Sequence, residues 1–325
     1  MKLHIIGAGN WGTTLAHLFS KENEVLLWTH TIKHAQSINS DSENKMYLPG
    51  LKLSKNIIAV KSFSVEIDSD DIVLLVVPSS ALPGVADELK NRMNGQTIIC
   101  ATKGFEHQTM RTMGEVINAK LPDSPLIALS GPNIARELAQ GKPTKAVLAS
   151  ENLIAVTRVV KYLKNDLLAF EVSRDIKGIE LCAALKGIIA IGVGIADGLD
   201  LGDNFTALLM TYGLREFVAI AEFLGIQQKT IYGIAGLGDL IATCLSKNSR
   251  NRKFGYLLGK GYKTEEALKE VGMVVEGVQM TKTIVGLDDL NVSIPLFSII
   301  TKIIFEPNGY NIADKFITCL TQYKI

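Results

Sequence analysis

A glycine pattern at the start of the chain constrains the fold more than any other feature. In KLHIIGAGNWGTTLA, residues 2–16, an apolar run leads into Gly7, Gly9 and Gly12 with G-x-G-x-x-G spacing, and a helical pattern follows. Gly7 is expected to make a tight turn, Gly9 to let a diphosphate approach the backbone, and Gly12 to let the helix pack on its strand. The pattern predicts a dinucleotide held at a helix N-terminus, where free N–H groups favour an anion. A glycine-rich turn without a ligand is the alternative.

The first half of the chain alternates short apolar runs with longer mixed segments. The runs are KLHIIG, EVLLWT, NIIAV, DIVLLVVP, TIICATKG, LIALSGP and KAVLAS, rich in Ile and Val and punctuated by Gly, Pro or Ser. Parallel strands buried on both faces have this pattern, with helices between them. The predicted fold class is α/β, a Rossmann-type doubly wound sheet spanning residues 1–173.

The pattern becomes helical from residue 174. Apolar residues recur at intervals of three and four in FTALLMTYGLREFVAIAEFLG and EEALKEVG, and strand-like runs are nearly absent. We expect an all-helical second domain over residues 174–325. A chain of 325 residues is long enough for two such domains.

Composition and charge exclude several classes of protein. The net charge of +1 provides no field for nucleic acid or an anionic membrane. Four widely separated cysteines, without a C-x-x-C pair, argue against disulfides and a zinc cluster, so no metal site is expected. The N-terminus does not have the pattern of a signal peptide, and the most apolar stretch, 187–196, is too short to span a bilayer. These features predict a cytoplasmic protein.

The end of the second predicted strand bears on the choice of cofactor. NAD-selective sites usually place an acid there, but this chain has Thr29 and His30, followed by Lys33 and His34. Nothing in this segment repels a 2′-phosphate. The predicted cofactor is NADP or NAD, with NADPH accepted; ordinary surface residues after a strand are the alternative interpretation.

Four further stretches carry candidate chemistry. They are ATKGFE with Lys103, SGPNIARELAQGKPT after another strand, ELCAALKG with Lys186, and GLGDLIATCLSKNSRNRKFG over residues 236–255. Lysine is rarely buried without a partner, and burial would lower the pKa of Lys186 towards the range useful for proton transfer. Arg250 at a helix start suits an anion. A solvated loop lysine, an exposed basic patch and a lysine reaching water are the ordinary alternatives.

Seven segments in chain order resemble the bacterial NAD(P)-dependent glycerol-3-phosphate dehydrogenases over nearly the whole length. They are GAGNWGTTLA, VVPSSAL, ATKG, SGPNIARELAQGKPT, ALKGIIAIGVGIADGLDLGDN, GLGDLIATCLSKNSRNRKFG and VVEGV. The resemblance implies reversible hydride transfer between NAD(P)H and dihydroxyacetone phosphate, giving sn-glycerol 3-phosphate for phospholipid synthesis. It also implies a homodimer.

The resemblance implies roles for single residues. Lys186 is the implied proton donor and acceptor, and Lys103, Asp239 and Thr243 complete the catalytic set. The implied substrate contacts are Lys103, Gly131, Asn133, Lys186, Asp239, Ser249, Arg250 and Asn251. Beside the three glycines, the implied cofactor contacts are Asn10, Trp11, His30, Lys103, Ala135, Arg250, Val274 and Glu276.

The chain also departs from the family pattern. Gly187 follows the catalytic lysine where Asn is usual, and Asn133 stands where a small hydroxyl residue is common.

Two other hypotheses for the function are a related two-domain reductase of another small anionic keto acid and a dinucleotide sensor without turnover. A phosphate dianion needs the donors of Ser249, Arg250 and Asn251 more than a monocarboxylate does, and a sensor needs no polar second-domain site.

Overall fold

The computed structural model describes residues 1–106, 109, 111–284, 292–306 and 312–321. It divides into two compact units. The first comprises Met1–Glu106 and Arg111–Glu180, and the second is the chain from Leu181 onward. The division lies inside a long helix, Ile176–Gly198. Because that helix begins directly after the last strand, we keep 1–173 and 174–325 as proposed domain limits.

The first unit is built on an eight-stranded sheet. Its strands are β1 (Leu3–Ile6), β2 (Val25–Thr29), β3 (Ile57–Lys61), β4 (Ile72–Leu75), β5 (Thr97–Cys100), β6 (Leu126–Ser130), β7 (Thr144–Ala149) and β8 (Leu168–Ser173). They lie in the order β3-β2-β1-β4-β5-β6-β7-β8. Strands β1 to β6 are parallel, with Leu3 beside Val25 on one side and Ile72 on the other.

Two features of the sheet differ from the sequence prediction. Strand β7 pairs antiparallel with β6, and β8 pairs parallel with β7. The prediction of parallel strands is therefore wrong for KAVLAS, because burial on both faces determines an apolar run but not its direction. Strand β8 was not predicted, since its residues are mostly half-buried or exposed and the run LAFEVS is not continuously apolar.

Helices cover both faces of the sheet. They are α1 (Asn10–Phe19), α2 (Ile32–Asp41), α3 (Leu82–Lys90), α4 (Met113–Lys120), α5 (Ala135–Ala139) and α6 (Leu153–Tyr162). Helices α1, α2, α5 and α6 pack with Leu3 and Ile5 on one face, while α3 and α4 pack with Ile6 on the other. This alternation confirms the doubly wound Rossmann-type fold.

The order of the strands determines where a ligand can bind. The chain moves from β1 outward through β2 and β3, then returns to the other side of β1 with β4. In such sheets ligands bind outside the carboxyl ends of the strands at this reversal. We therefore expect a ligand site at the turns after β1 and β4.

The second unit is helical in its described residues, as predicted. Its helices are the later part of α7 (Ile176–Gly198), then α8 (Gly202–Phe223), α9 (Gln228–Ile231), α10 (Asp239–Leu245), α11 (Arg250–Gly259), α12 (Thr264–Val271), α13 (Glu276–Ile284), α14 (Pro295–Phe305) and α15 (Ile312–Thr321). A π-helical turn, Ile234–Gly238, leads into α10.

Helix α7 is long and apolar enough to cross a membrane by length and composition. The expectation that the apolar segment is too short is therefore wrong on length, because the 23-residue helix also includes Lys177, Glu180 and Lys186. Every residue of its most apolar window is buried inside the protein, as in the core helix of a globular domain.

Candidate active site

The turn after β1 requires glycine at two of its three glycine positions. Gly7 has φ +118°, a conformation that L side chains rarely adopt, and a Cβ there would lie 2.4 Å from the carbonyl oxygen of Val76. A Cβ at Gly12 would lie 1.9 Å from the carbonyl oxygen of Gly7. The turn therefore sits directly against the segment after β4, and α1 packs closely against the turn.

Gly9 differs from its two neighbours. Its φ of −75° is open to any residue, and a Cβ there would have no atom within 4 Å. The protein's own packing therefore does not explain the glycine. An open space beside this backbone is what the approach of a diphosphate requires.

The beginning of α1 suits an anion. Gly9 is its N-cap, no side chain caps the helix, and its first turn has no acid. The first N–H groups of a helix lack partners inside the helix, and its dipole favours negative charge there. The turn and the start of α1 thus fit the diphosphate of NAD or NADP, with Gly9, Asn10 and Trp11 as the residues that would hold it.

Buried polar atoms follow β1 and β6. In the described part of the chain, Asn10 Oδ1, Ser130 Oγ and both amide atoms of Asn133 are buried without a hydrogen-bond partner. A buried polar group without a partner costs free energy unless a ligand or water satisfies it. Gly131, with φ +149°, carries the chain past β7, where a Cβ would lie 3.1 Å from Ala146 Cα. These segments fit a polar ligand.

The segment after β2 is cationic at its surface. Thr29 is buried, and its hydroxyl donates to the carbonyl oxygens of Thr31 (2.8 Å) and Val60 (3.2 Å). His30 and Lys33 are exposed. Thr29 therefore has a structural role, whereas the side chains of His30 and Lys33 are open to solvent.

Lys103 follows β5 on the same edge of the sheet. The preceding Thr102 donates from its hydroxyl to the carbonyl oxygen of Val77, 2.9 Å away, which joins the ends of β5 and β4. The following Gly104 has φ +120° and approaches Ser79 so closely that a Cβ would lie 3.1 Å from the Ser79 Cβ. The half-buried Lys103 is thus carried by a turn fixed on both sides.

In the second unit, Lys186 is buried and pairs with a buried acid. Its Nζ donates to Asp239 Oδ2, and the Thr243 hydroxyl donates to the other oxygen, Asp239 Oδ1, at 3.3 Å. Lys186 is 5% exposed and Asp239 is 2% exposed. A buried charge pair of this kind is costly unless it is well bonded, so it indicates a functional requirement.

An unusual backbone segment precedes Asp239. The π-helical turn Ile234–Gly238 ends immediately before Asp239. Its Gly236 approaches Ile231 so closely that a Cβ would lie 2.0 Å from the Ile231 carbonyl oxygen. π-Helical turns are rare and occur frequently at functional sites. The neighbouring Cys244 remains a thiol, because burial raises its pKa to about 12.

Helices α7 and α11 cross in direct backbone contact. A Cβ at Gly194 would lie 2.1 Å from the Arg252 carbonyl oxygen, and one at Gly255 would lie 2.0 Å from the Ile191 carbonyl oxygen. Gly198 and Gly259 make similar contacts one turn further along. This crossing fixes the beginning of α11 relative to the helix that carries Lys186.

The beginning of α11 brings together three predicted residues. Ser249 caps the helix by accepting from the Arg252 N–H at 3.2 Å, and Arg250 is exposed at the first helical position. Asn251 Oδ1 accepts from the Gly277 N–H at 3.0 Å. A Cβ at Gly187 would lie 3.0 Å from Asn251 Nδ2, so Asn251 and Gly187 are also neighbours.

The comparisons with known proteins cover both halves of the chain. The profile of the NAD-dependent glycerol-3-phosphate dehydrogenase N-terminus matches residues 2–156, and the profile of the same family's C-terminus matches residues 175–313. The chain belongs to this family. The two matches together span the glycine turn of the first unit and the Lys186–Asp239 pair of the second.

Individual dehydrogenases of the family are similar over their whole length. Glycerol-3-phosphate dehydrogenase (NAD(P)+) of Fusobacterium nucleatum is 38% identical over 311 residues, covering 94% of this chain and 93% of that protein. The protein of the same description from a Thermoanaerobacter species is 38% identical over 327 residues, covering 100% and 98%. The crystal structure of the Coxiella burnetii glycerol-3-phosphate dehydrogenase is 32% identical, covers 99% and 98%, and has a TM-score of 0.90.

The remaining predicted dehydrogenase residues lie at element ends. The Ala135 carbonyl oxygen accepts from the Thr14 hydroxyl at 3.3 Å, which places α5 against α1. Glu276 begins α13, directly before Gly277, and Val274 is exposed on the loop before it. Gly236 and Gly277 were not singled out from the sequence, because their importance lies in close approaches between elements far apart in the chain.

Proposed function

We propose that this chain is an NAD(P)-dependent sn-glycerol-3-phosphate dehydrogenase that interconverts dihydroxyacetone phosphate and sn-glycerol 3-phosphate. The observation that carries the proposal is the buried Lys186–Asp239 pair, held by Thr243, in a member of this family. A dinucleotide sensor has no need for a buried ammonium ion beside a bonded carboxylate. A dehydrogenase does need one, because its substrate carbonyl oxygen gains charge during reduction.

Lys186 is the proposed proton donor. A bound reduced nicotinamide supplies the hydride that reduces the substrate carbonyl carbon. Lys186 Nζ donates a proton to the carbonyl oxygen as the secondary alcohol forms, and the neutral amine accepts it again in the reverse direction. An ammonium carries three donors, so Lys186 can bind Asp239 and a substrate oxygen together.

Asp239 and Thr243 are the proposed supports of Lys186. The carboxylate keeps the ammonium oriented and offsets the cost of burying its charge. The Thr243 hydroxyl donates a hydrogen bond to the second carboxylate oxygen, which fixes the rotation of the carboxylate group. Lys103 is the fourth residue of the proposed catalytic set. It lies at the carboxyl edge of the sheet in the first unit.

The beginning of α11 is the proposed phosphate site. Arg250 is an exposed cation in the first turn of a ten-residue helix, where N–H groups and the dipole also favour an anion. Ser249 and Asn251 flank it and supply further donors. The other proposed substrate contacts are Gly131, Asn133, Lys103, Lys186 and Asp239, as the family resemblance implies.

The proposed cofactor is NADP or NAD. The three glycines with Asn10 and Trp11 would hold the diphosphate. His30 would contact the 2′-hydroxyl group of the adenosine ribose in NAD or the 2′-phosphate in NADP. Ala135, Lys103, Arg250, Val274 and Glu276 are the further proposed contacts. The absence of an acid between Thr29 and His34 supports acceptance of NADPH.

Initial rates test the proposed reaction. Oxidation of NADPH and of NADH is measured with dihydroxyacetone phosphate, with dihydroxyacetone, and without a ketone. We expect oxidation that requires the phosphorylated ketone. Binding of both dinucleotides without any ketone-dependent oxidation would favour the sensor instead.

Lys186→Met tests the proposed proton transfer. We expect the dissociation constant for NADPH to stay within twofold while the rate falls by at least about a hundredfold, since general acid catalysis is commonly worth that much. Lys177→Met is the matched control, because Lys177 lies on the same helix but is exposed and pairs with Glu115 at 3.5 Å. Full activity in Lys186→Met would refute the role.

The proposed setting is the cytoplasm, with a small-molecule substrate, no nucleic acid and no membrane span. The cysteines support a reducing compartment, since Cys100, Cys244 and Cys319 are free thiols. The homodimer implied by the family stays a prediction, which sedimentation equilibrium of the purified protein can measure.

A further inference from the structure

One buried side chain outside the predicted site is bonded to the glycine turn. Asn44 lies in the loop after α2 and is 1% exposed. Its amide Nδ2 donates to the Ala8 carbonyl oxygen at 2.9 Å and to the Thr13 hydroxyl at 2.8 Å. Its Oδ1 is 3.0 Å from His34 Nε2. The amide thus joins the turn, the first turn of α1 and α2.

The hydrogen bonds fix the orientation of this amide. Both hydrogens of Nδ2 are used, one by Ala8 and one by Thr13, so the oxygen must face His34. Because a carbonyl oxygen only accepts, His34 Nε2 carries the hydrogen and donates it to Asn44. A flipped amide would place its oxygen against the Ala8 carbonyl oxygen, which cannot donate, and would lose that bond.

The bond to Ala8 determines the direction of the next N–H group. Since a peptide unit is planar and trans, the Ala8 carbonyl and the Gly9 N–H point in opposite directions. The carbonyl points to Asn44, so the Gly9 N–H points away from it. Gly9 is also the residue with open space beside its Cβ position. Asn44 therefore orients a donor of the turn that would hold a diphosphate.

We propose that Asn44 is a positioning residue for the diphosphate-binding turn, acting through the Ala8–Gly9 peptide, with His34 holding its amide in place. The inference rests on the proposed function, since it assumes that the turn binds a dinucleotide. Asn44 and Thr13 are almost fully buried, so both act through the turn rather than by touching the ligand. His34 lies in α2, the helix after β2, and the end of β2 is the proposed site of the cofactor ribose. The hydrogen bonds of Asn44 therefore connect the helix beside the proposed ribose site with the proposed diphosphate turn.

Asn44→Asp is the test variant, because it keeps the size of the side chain and removes both N–H donors. Asn39→Asp is the matched control. Asn39 lies on α2 and also bonds backbone, donating to the Ala59 carbonyl oxygen and accepting from the Ala59 N–H, both at 2.8 Å. It has no bond to the glycine turn. The readouts are calorimetric dissociation constants for NADH and NADPH, with the melting temperature of each variant.

We expect Asn44→Asp to raise both dissociation constants at least tenfold and by similar factors, because the diphosphate is common to NADH and NADPH. Asn39→Asp is expected to stay within twofold of the unaltered protein. A folded Asn44→Asp protein that binds as tightly as Asn39→Asp would overturn the inference, and so would weaker binding of one dinucleotide alone.

Thr13→Val decides the matter if Asn44→Asp does not fold. It removes one acceptor of the amide, and we expect both dissociation constants to rise at least threefold; a change within twofold overturns the inference.

Binding by the unaltered protein separates this inference from the proposed function. If it binds neither dinucleotide, the proposed function fails as well. If it binds both and the variants bind equally well, only the role of Asn44 fails.

Discussion

Two glycines of the β1 turn are needed for different reasons. At Gly12 an added methyl group would lie 1.9 Å from the Gly7 carbonyl oxygen, so the fold itself excludes it. At Gly9 the same group would meet no protein atom within 4 Å, and the backbone is in an ordinary conformation. Packing therefore requires the glycine at position 12, whereas packing does not explain the glycine at position 9, which is the proposed contact of the diphosphate.

This difference predicts opposite phenotypes for two alanine variants. Gly9→Ala is expected to change the free energy of unfolding by less than about 0.5 kcal/mol and to raise the dissociation constant for NADPH at least tenfold. Gly12→Ala is expected to destabilise the protein by about 2 kcal/mol or more, since the helix must move. Urea unfolding and calorimetric titration measure the two effects. Equal losses of stability in both variants would contradict the assignment.

Sequence reasoning at this scale succeeds where a residue belongs to a motif. The spacing of Gly7, Gly9 and Gly12 predicted a separate role for each, and packing around Gly7 and Gly12 agrees with two of them. Asn44 could not be found in this way. A single Asn in a loop has no periodicity, and its three partners are fixed only when α2 folds back on the turn.

At the scale of elements, the crossing of α7 and α13 explains a departure from the family pattern. A Cβ at Gly187 would lie 3.0 Å from Asn251 Nδ2 and 3.1 Å from Gly277 Cα. A Cβ at Gly277 would in turn lie 2.8 Å from the Gly187 carbonyl oxygen. The two helices therefore meet through their backbones, and Asn251 bonds across the junction.

Restoring the asparagine usual in the family is therefore expected to harm this protein. Gly187→Asn pushes α13 away from α7, and we expect a loss of about 1–2 kcal/mol in the free energy of unfolding from overpacking. The KM for dihydroxyacetone phosphate is expected to rise, because Asn251 loses its partner. Denaturant unfolding and steady-state rates measure both. Improved KM at unchanged stability would show that the junction tolerates a side chain.

Element types were more predictable than element directions and limits. The alternation of apolar runs predicted β1 to β7, but the antiparallel direction of β7 depends on pairing with β6, which sequence does not contain. The apolar segment 187–196 was expected to be too short to span a bilayer, whereas it is part of the 23-residue helix α7, which also contains polar residues. Lys186 is one of them, and its partner Asp239 follows 53 positions later.

At the scale of the molecule, two buried titratable sites of the first unit respond oppositely to pH. Burial lowers the pKa of His4, despite its 2.8 Å bond to Asp71. Burial raises the pKa of Glu180 to about 7, although it accepts from the Gly114 N–H at 2.7 Å. Folding therefore favours a neutral imidazole at one site and a protonated carboxyl group at the other.

The signs follow from proton linkage. The contribution of His4 is complete above its unfolded value of 6.5 and decreases as the pH falls below it. The contribution of Glu180 is complete below its unfolded value of 4.5 and is lost as the pH rises through about 7. Just below pH 6.5 the two effects oppose each other.

We expect the free energy of unfolding to change little with pH just below 6.5, and single variants to show the two opposing slopes. In Glu180→Gln stability should rise with pH towards 6.5, and in His4→Gln it should fall with rising pH up to about 7. Each slope has an upper limit of about 1.4 kcal/mol per pH unit for one proton. Urea unfolding at half-unit pH steps measures them. Parallel profiles for both variants would refute the two assignments.

The glycine-lined crossing of α7 and α11 has a mechanical consequence. Most packed helices can slide slightly because the side chains between them change rotamer. Here the Arg252 carbonyl oxygen of α11 lies 2.1 Å from the Cβ position of Gly194, and the Ile191 carbonyl oxygen of α7 lies 2.0 Å from that of Gly255, so no rotamer change can accommodate sliding. We therefore expect the two helices to move together and the spacing between Lys186 and the start of α11 to stay nearly constant. Whatever movement accompanies turnover is taken up outside this pair.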